Sequence, residues 1–251
     1  MNIQNMEVII LILLLGGGSF YMYTIFQHEE EFVPEPQVAL EEEERIDLYT
    51  CQGVDTSDPE WKDKTILLDP GHMLFDGDEG FSNASNGFSE STMVREIAQS
   101  LSFSGSNFLG TRSLEKEEVA STNDRVQRIL AQNPALIISF HVGEGENTLN
   151  AFVSSTSENI QESRKLACNI INAIIQNDEL HNGNIEIEGR NVISLNPKFY
   201  NENDPEFILR TKKPAVLLEM GSINIARNEN FLTSKLELGE AIYKGIGDYY
   251  E

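Results

Sequence analysis

Two cysteines, four histidines and one tryptophan are all that this 251-residue chain carries of those types, and basic residues are scarce too, 18 Lys and Arg against 41 Asp and Glu. Each shortage excludes something. Cys51 and Cys168 cannot make a disulfide framework, and neither sits at a metal-site spacing. Cys168 is expected to be a buried free thiol on a helix, where Cys behaves as a small apolar residue; the alternative is a single bridge between the two. A formal net charge of -23 repels phosphates and so argues against general binding to nucleic acid. No Lys or Arg precedes Arg45, which leaves the positive-inside rule almost nothing to act on. No internal repeat is present.

What the N-terminus does have is an uncharged apolar run, Val8 to Phe26. As a helix it rises about 28 Å, close to the thickness of a bilayer's hydrocarbon core. A cleaved signal peptide ending near Gly16-Gly17-Gly18-Ser19 is the competing reading, but it lacks a basic n-region, and Tyr21, Tyr23 and Phe26 suit a membrane interface. Residues 1–27 are therefore expected to be a membrane anchor. Residues 28–60 are acidic, with Pro34, Pro36 and the block Glu41 to Glu44, and are expected to be a flexible linker.

From residue 61 to 251 short apolar runs alternate with amphipathic segments. The pattern predicts strands at 64–69, 107–111, 135–141, 149–154, 191–195 and 214–219, and helices near 91–103, 118–132, 157–179 and 228–248. In the first helix Val94, Ile97, Ala98 and Leu101 mark one buried face; in the last, Leu232, Leu236, Ile242 and Ile246 are expected to do the same. Such alternation calls for an α/β fold with a mostly parallel central sheet flanked by helices on both faces.

Three of the apolar runs end on chemistry. Ile66-Leu67-Leu68-Asp69-Pro70-Gly71-His72 and Ala135-Leu136-Ile137-Ile138-Ser139-Phe140-His141 each deliver a histidine, and Pro214-Ala215-Val216-Leu217-Leu218-Glu219 delivers a carboxylate. In an open α/β sheet ligands gather beyond the carboxyl ends of parallel strands, so the three could converge. A catalytic zinc needs three protein ligands, commonly His and carboxylate. Glu90, which follows a polar loop and opens the first helix, is the best third ligand, with Asp78 and Glu79 as competitors. Taken singly, each histidine reads first as a hydrogen-bonded residue at a strand end, and it is their joint placement that favours a metal.

The chain resembles the zinc-dependent N-acetylmuramoyl-L-alanine amidases of the amidase 3 family from about Lys64 to Tyr249. The likeness rests on Leu68-Asp69-Pro70-Gly71-His72, Gly87-Phe88-Ser89-Glu90, Thr111-Arg112 with Arg125, Ser139-Phe140-His141, and Pro214 to Gly221, in that order. It implies that His72, Glu90 and His141 hold zinc and that Glu219 is the catalytic glutamate. It also implies hydrolysis of the amide between the lactyl group of N-acetylmuramic acid and the L-alanine of the stem peptide. Met73, Val142-Gly143, Ser222 and Ile225 depart from the family's usual rim residues, which touches substrate preference more than the ligands.

Stem peptides carry carboxylates, so an acidic protein needs local cations to hold them; Arg190, Arg210, Lys212 and Lys213 precede the Glu219 strand and are the candidates for substrate binding. His181, after a long helix, is expected on the surface. The leading reading is a membrane-tethered zinc amidase on the extracytoplasmic side, with peptidoglycan as its partner, no nucleic acid, and a protein activator left open. Another zinc peptidase or carboxypeptidase, and a catalytically weak peptidoglycan-binding scaffold, are the alternatives.

Overall fold

The computed structural model describes residues 47–51, 64–72, 80–83, 85, 87–104, 108–110, 122–143, 145, 147–177, 180, 189–201, 204–224 and 232–251. The Val8–Phe26 run, most of the 28–60 stretch, Thr111-Arg112 and His181 lie outside these residues. Among the described residues no helix is long and apolar enough to cross a membrane.

The runs richest in Ile, Leu and Val become the middle of a seven-stranded sheet, because strands covered on both faces must be apolar on both. In chain order the strands are β1 (Asp47–Tyr49), β2 (Ile66–Pro70), β3 (Ser82–Asn83), β4 (Phe88–Ser89), β5 (Phe108–Gly110), β6 (Leu136–Gly143), β7 (Thr148–Ser154), β8 (Gly189–Leu195) and β9 (Ala215–Ser222). The sheet order is β1-β8-β7-β9-β6-β2-β5, with β3 and β4 forming a separate hairpin. β5, β2, β6 and β9 run parallel, β7 and β8 run parallel to each other, and the β7–β9 and β1–β8 pairings are antiparallel.

Helices α1 (Glu90–Ser104), α3 (Ile160–Gln176) and α4 (Lys235–Tyr250) cover one face; α2 (Thr122–Ala131) and a 3-10 turn, Pro205–Arg210, cover the other. The larger core joins Val94, Ile97 and Leu101 of α1 to Ile66, Leu68, Ile138 and Val216 of the sheet. The smaller one joins Val126 and Ile129 of α2 to Leu67, Ile137 and Leu217. A parallel pair needs a crossover element between its strands, which is why α1 and α2 stand between β2 and β6 in the chain.

Three expectations need correction. Leu236 is 65% exposed; the buried stripe of α4 is Leu238, Ile242, Ile246 and Tyr249, which keeps the three-to-four-residue helical spacing that Leu236 breaks. Cys168 is buried on α3 as expected, but it is bridged to Cys51 and is not a free thiol. The sheet also takes in part of the stretch expected as a flexible linker, since Asp47–Tyr49 pairs with Val192–Ser194 at the edge. That strand is too short to show an alternating pattern. It is held by the bridge and by the Arg164 guanidinium, 5.1 Å from the centre of the Tyr49 ring.

Candidate active site

Side chains alternate across a sheet, so residues two apart share a face. On the face covered by α2 every central strand turns from apolar to polar toward the same end. Leu67 is followed by Asp69, Ile137 by Ser139 and His141, and Leu217 by Glu219; on the oppositely directed β7 and β8, Asn150 precedes Phe152 and Asn191 precedes Ile193. His141 on β6 is the register partner of Glu219 on β9, and Glu219 is that of Asn150 on β7. The result is a polar row across adjacent strands at one end of the sheet.

Glu90 lies at the centre. The β3–β4 hairpin ends directly at α1 and puts this residue at the helix start, where the backbone N–H of Glu90 donates to the Phe81 carbonyl over 2.8 Å. Its Oε2 lies 3.0 Å from His72 Nε2 and its Oε1 3.0 Å from His141 Nδ1. The backbone N–H groups of Phe81 and Val142 each donate to the carboxylate over 3.1 Å. Burial pushes the Glu90 carboxyl up, but the hydrogen bonds from His141 and His72 and the charges on those rings outweigh it and hold it at about 2. Glycine is required close by: a Cβ on Gly71 would overlap the His141 ring, and Gly80, at φ +67°, would overlap Glu90 Oε2.

One ligand atom each from His72, Glu90 and His141 lies within 4.8 Å of the others. Two imidazoles and a carboxylate are the donor set of a catalytic zinc site. His141 Nε2 is buried with no hydrogen-bond partner in the structure, and a buried polar atom without a partner is costly unless something binds it. The residues present therefore fit a metal ion.

Glu219 is half-buried beside this group. Asn150 Nδ2 reaches toward its Oε2 at 3.5 Å, and Asn191 Nδ2 donates to Asn150 Oδ1 over 3.0 Å. Glu206, on the 3-10 turn, is a third carboxylate in electrostatic range; burial raises it above its usual range, and the nearby charges of Asp204 and Glu219 add to the effect.

A protein-family model described as N-acetylmuramoyl-L-alanine amidase (Amidase_3) matches residues 66–248. The chain belongs to this family. Its enzyme class is accordingly that of the N-acetylmuramoyl-L-alanine amidases. No curated protein matches the chain. Among solved structures, the N-acetylmuramoyl-L-alanine amidase from Clostridium difficile 630 superposes with a TM-score of 0.55 at 19% identity, covering 73% of this chain and 94% of that one. The amidase Ami1 from Mycobacterium smegmatis gives 0.56 at 16% identity, over 75% and 97% of the two chains. The catalytic domain of CwlV from Bacillus (Paenibacillus) polymyxa var. colistinus gives 0.54 at 18%, over 74% and 97%. At these identities the superpositions speak for the shared amidase fold.

The structure thus brings together the three residues expected as metal ligands and sets Glu219 next to them. The expected substrate cations lie elsewhere. Arg210 donates to the backbone carbonyls of Pro197, Lys198 and Tyr200 and stacks on Phe207, with 4.4 Å between guanidinium and ring centre, so it braces a loop. Lys212 is exposed just before β9, on the order of 20 Å along the chain from Glu219 at strand rise. Arg190 is exposed at the active end of the sheet, in register with Leu149 and through it with Met220, which puts it on the face opposite Glu219. Sequence reasoning missed Asn150 and Asn191. The signal was present as Asn150 and Asn191, each two residues ahead of an apolar residue, Phe152 or Ile193, on the same face.

Proposed function

We propose that this amidase hydrolyses the bond between the lactyl group of N-acetylmuramic acid and L-alanine in peptidoglycan, with zinc held by His72, Glu90 and His141. The observation that carries the reading is the pairing of Glu90 with both imidazoles beside a half-buried glutamate, within a chain of the amidase family. Zinc, when bound, supplies a Lewis acid that polarises the amide carbonyl and makes water nucleophilic at neutral pH. Glu219 accepts the proton of the attacking water and returns it to the departing nitrogen, which leaves poorly as an anion. Asn150 steadies the Glu219 carboxylate from the neighbouring strand. The Glu90 carboxyl, held at about 2, is ionised at neutral pH, as a metal-ligating carboxylate must be.

The domain acts outside the cytoplasmic membrane, tethered by Val8 to Phe26. Two arguments support this: the inferred substrate lies there, and the Cys51–Cys168 bridge belongs to an oxidising compartment.

Purified sacculi digested with the protein test the reading. The expected products are glycan freed of peptide and stem peptides with a new L-alanine amino terminus, formed without chelator and lost with it. Release of a terminal amino acid alone, or full activity after exhaustive chelation, would overturn it. A C-terminal reporter active only outside the cytoplasm tests the tether separately.

A further inference from the structure

Beneath the ligand group lies a buried ion pair with no direct part in the chemistry described above. Arg125 of α2 and Asp69 of β2 are almost fully buried, with Arg125 Nε 3.1 Å from Asp69 Oδ1. The other carboxylate oxygen, Oδ2, accepts from Ser139 Oγ over 2.9 Å. The guanidinium does not stop at Asp69: its Nη1 donates to the backbone carbonyl of His72 over 3.3 Å. A chain of contacts thus runs from Ser139 through Asp69 and Arg125 to the peptide of one ligand.

His72 is where such support matters. Its φ is +63°, in the left-handed region that a non-glycine residue occupies only when its surroundings impose it. Its side chain is 22% exposed, against 9% for His141, so packing fixes the His72 ring less than its counterpart. The ring tip meets Glu90 over 3.0 Å, and the other end of the side chain is placed by the backbone. An arginine suits the task, since its planar fork can meet a carboxylate and a carbonyl at once, whereas a lysine ammonium is a point charge. A buried ion pair is weak evidence for stability, which makes a registry role the better account of its presence here.

We propose that Arg125, held by Asp69 and Ser139, is a positioning residue that locks the left-handed backbone of His72 and thereby sets the affinity of the site for zinc. The inference rests on the zinc reading above. Partners that orient ligands without touching the metal typically govern affinity by about 10- to 100-fold.

The test is chelator competition with zinc on the full chain, together with thermal melting of the metal-free protein. Arg125→Lys is expected to weaken zinc binding about 10- to 100-fold. Val126→Ala, the next residue of α2 and part of the core under the same face, is expected to lower the melting temperature and leave zinc affinity unchanged. If the lysine variant does not fold, Asp69→Asn combined with Arg125→Gln removes both buried charges together and is expected to weaken zinc to a similar degree. A wild-type chain without measurable zinc affinity defeats the zinc reading itself. A wild-type chain that binds zinc while the Arg125 variants bind it as tightly, or while Val126→Ala weakens it as much, overturns the positioning role alone.

Discussion

Gly143 and Glu219 approach so closely across β6 and β9 that a Cβ on the glycine would stand 2.6 Å from Glu219 Oε1. The nearest atom is the tip of a flexible side chain, while the Gly221 carbonyl oxygen is met less closely, at 3.3 Å, so a methyl group there moves the carboxylate more readily than the fold. Gly143→Ala should therefore keep its melting temperature within a few degrees and its metal content intact. Turnover of peptidoglycan should fall by up to about 10²-fold, the scale of loss that a displacement near 1 Å can cause. Activity close to wild type would mean that the Glu219 position in the structure is not the working one.

The acid limb of stability should follow Glu90. Its folded carboxyl sits at about 2 against an ordinary value of 4.5. A depressed folded value means that the stabilisation is present above 4.5 and is lost as the pH falls from there toward 2. The metal-free chain is expected to lose stability over that window, and Glu90→Gln, already weaker at neutral pH, should show a flatter profile. Denaturant midpoints measured between pH 2 and pH 6 decide this. Parallel profiles for the two proteins would show that other carboxylates dominate.

The bridge between Cys51 and Cys168 closes a separation of 117 residues. A cross-link over so long a loop removes much freedom from the unfolded chain and typically contributes about 2–4 kcal/mol. Cys51→Ser is expected to lower the melting temperature, and reductant should do the same to the wild type while having no effect on the variant. Identical melts for all of these would show that the bridge contributes nothing to stability.

The helices and central strands were legible because their signals are local. Val94, Ile97, Ala98 and Leu101 repeat at helical spacing and all four are buried. The expected helix at 157–179 instead runs from Ile160 to Gln176. Ser157 Oγ accepts from the Asn159 N–H ahead of it, and Asn177 Oδ1 accepts from the Leu180 N–H beyond it, so both flanks are turned by side-chain bonds. The site residues carried by the sheet were legible since apolar runs ending on His72, His141 and Glu219 deliver them to one end of its parallel strands. What escaped is what only tertiary contact creates. The hold of Arg125 on His72 spans 53 residues, and the antiparallel entry of β7 next to β9 depends on strand order, which hydrophobic periodicity does not encode.

The role of Glu219 separates an enzyme from a protein that only binds the cell wall. Glutamine in its place fills the same volume and can still meet the Asn150 side chain, but it cannot take a proton from the attacking water. A positioned general base typically contributes about 10²- to 10⁴-fold to rate. Glu219→Gln is thus expected to keep the fold, the Cys51–Cys168 bridge and the zinc content while losing two to four orders of magnitude in stem-peptide release. His141→Ala should lose zinc and activity together, because the imidazole belongs to the ligand group and Glu219 does not. The informative comparison is between these two variants, with melting temperature, zinc content and released L-alanine amino termini measured on the same preparations. A folded, zinc-loaded Glu219→Gln chain that still frees stem peptides at the wild-type rate would remove Glu219 from the mechanism. The proton would then have to be carried by another group near the site, and Glu206 is a carboxylate within electrostatic reach of both His141 and Glu219.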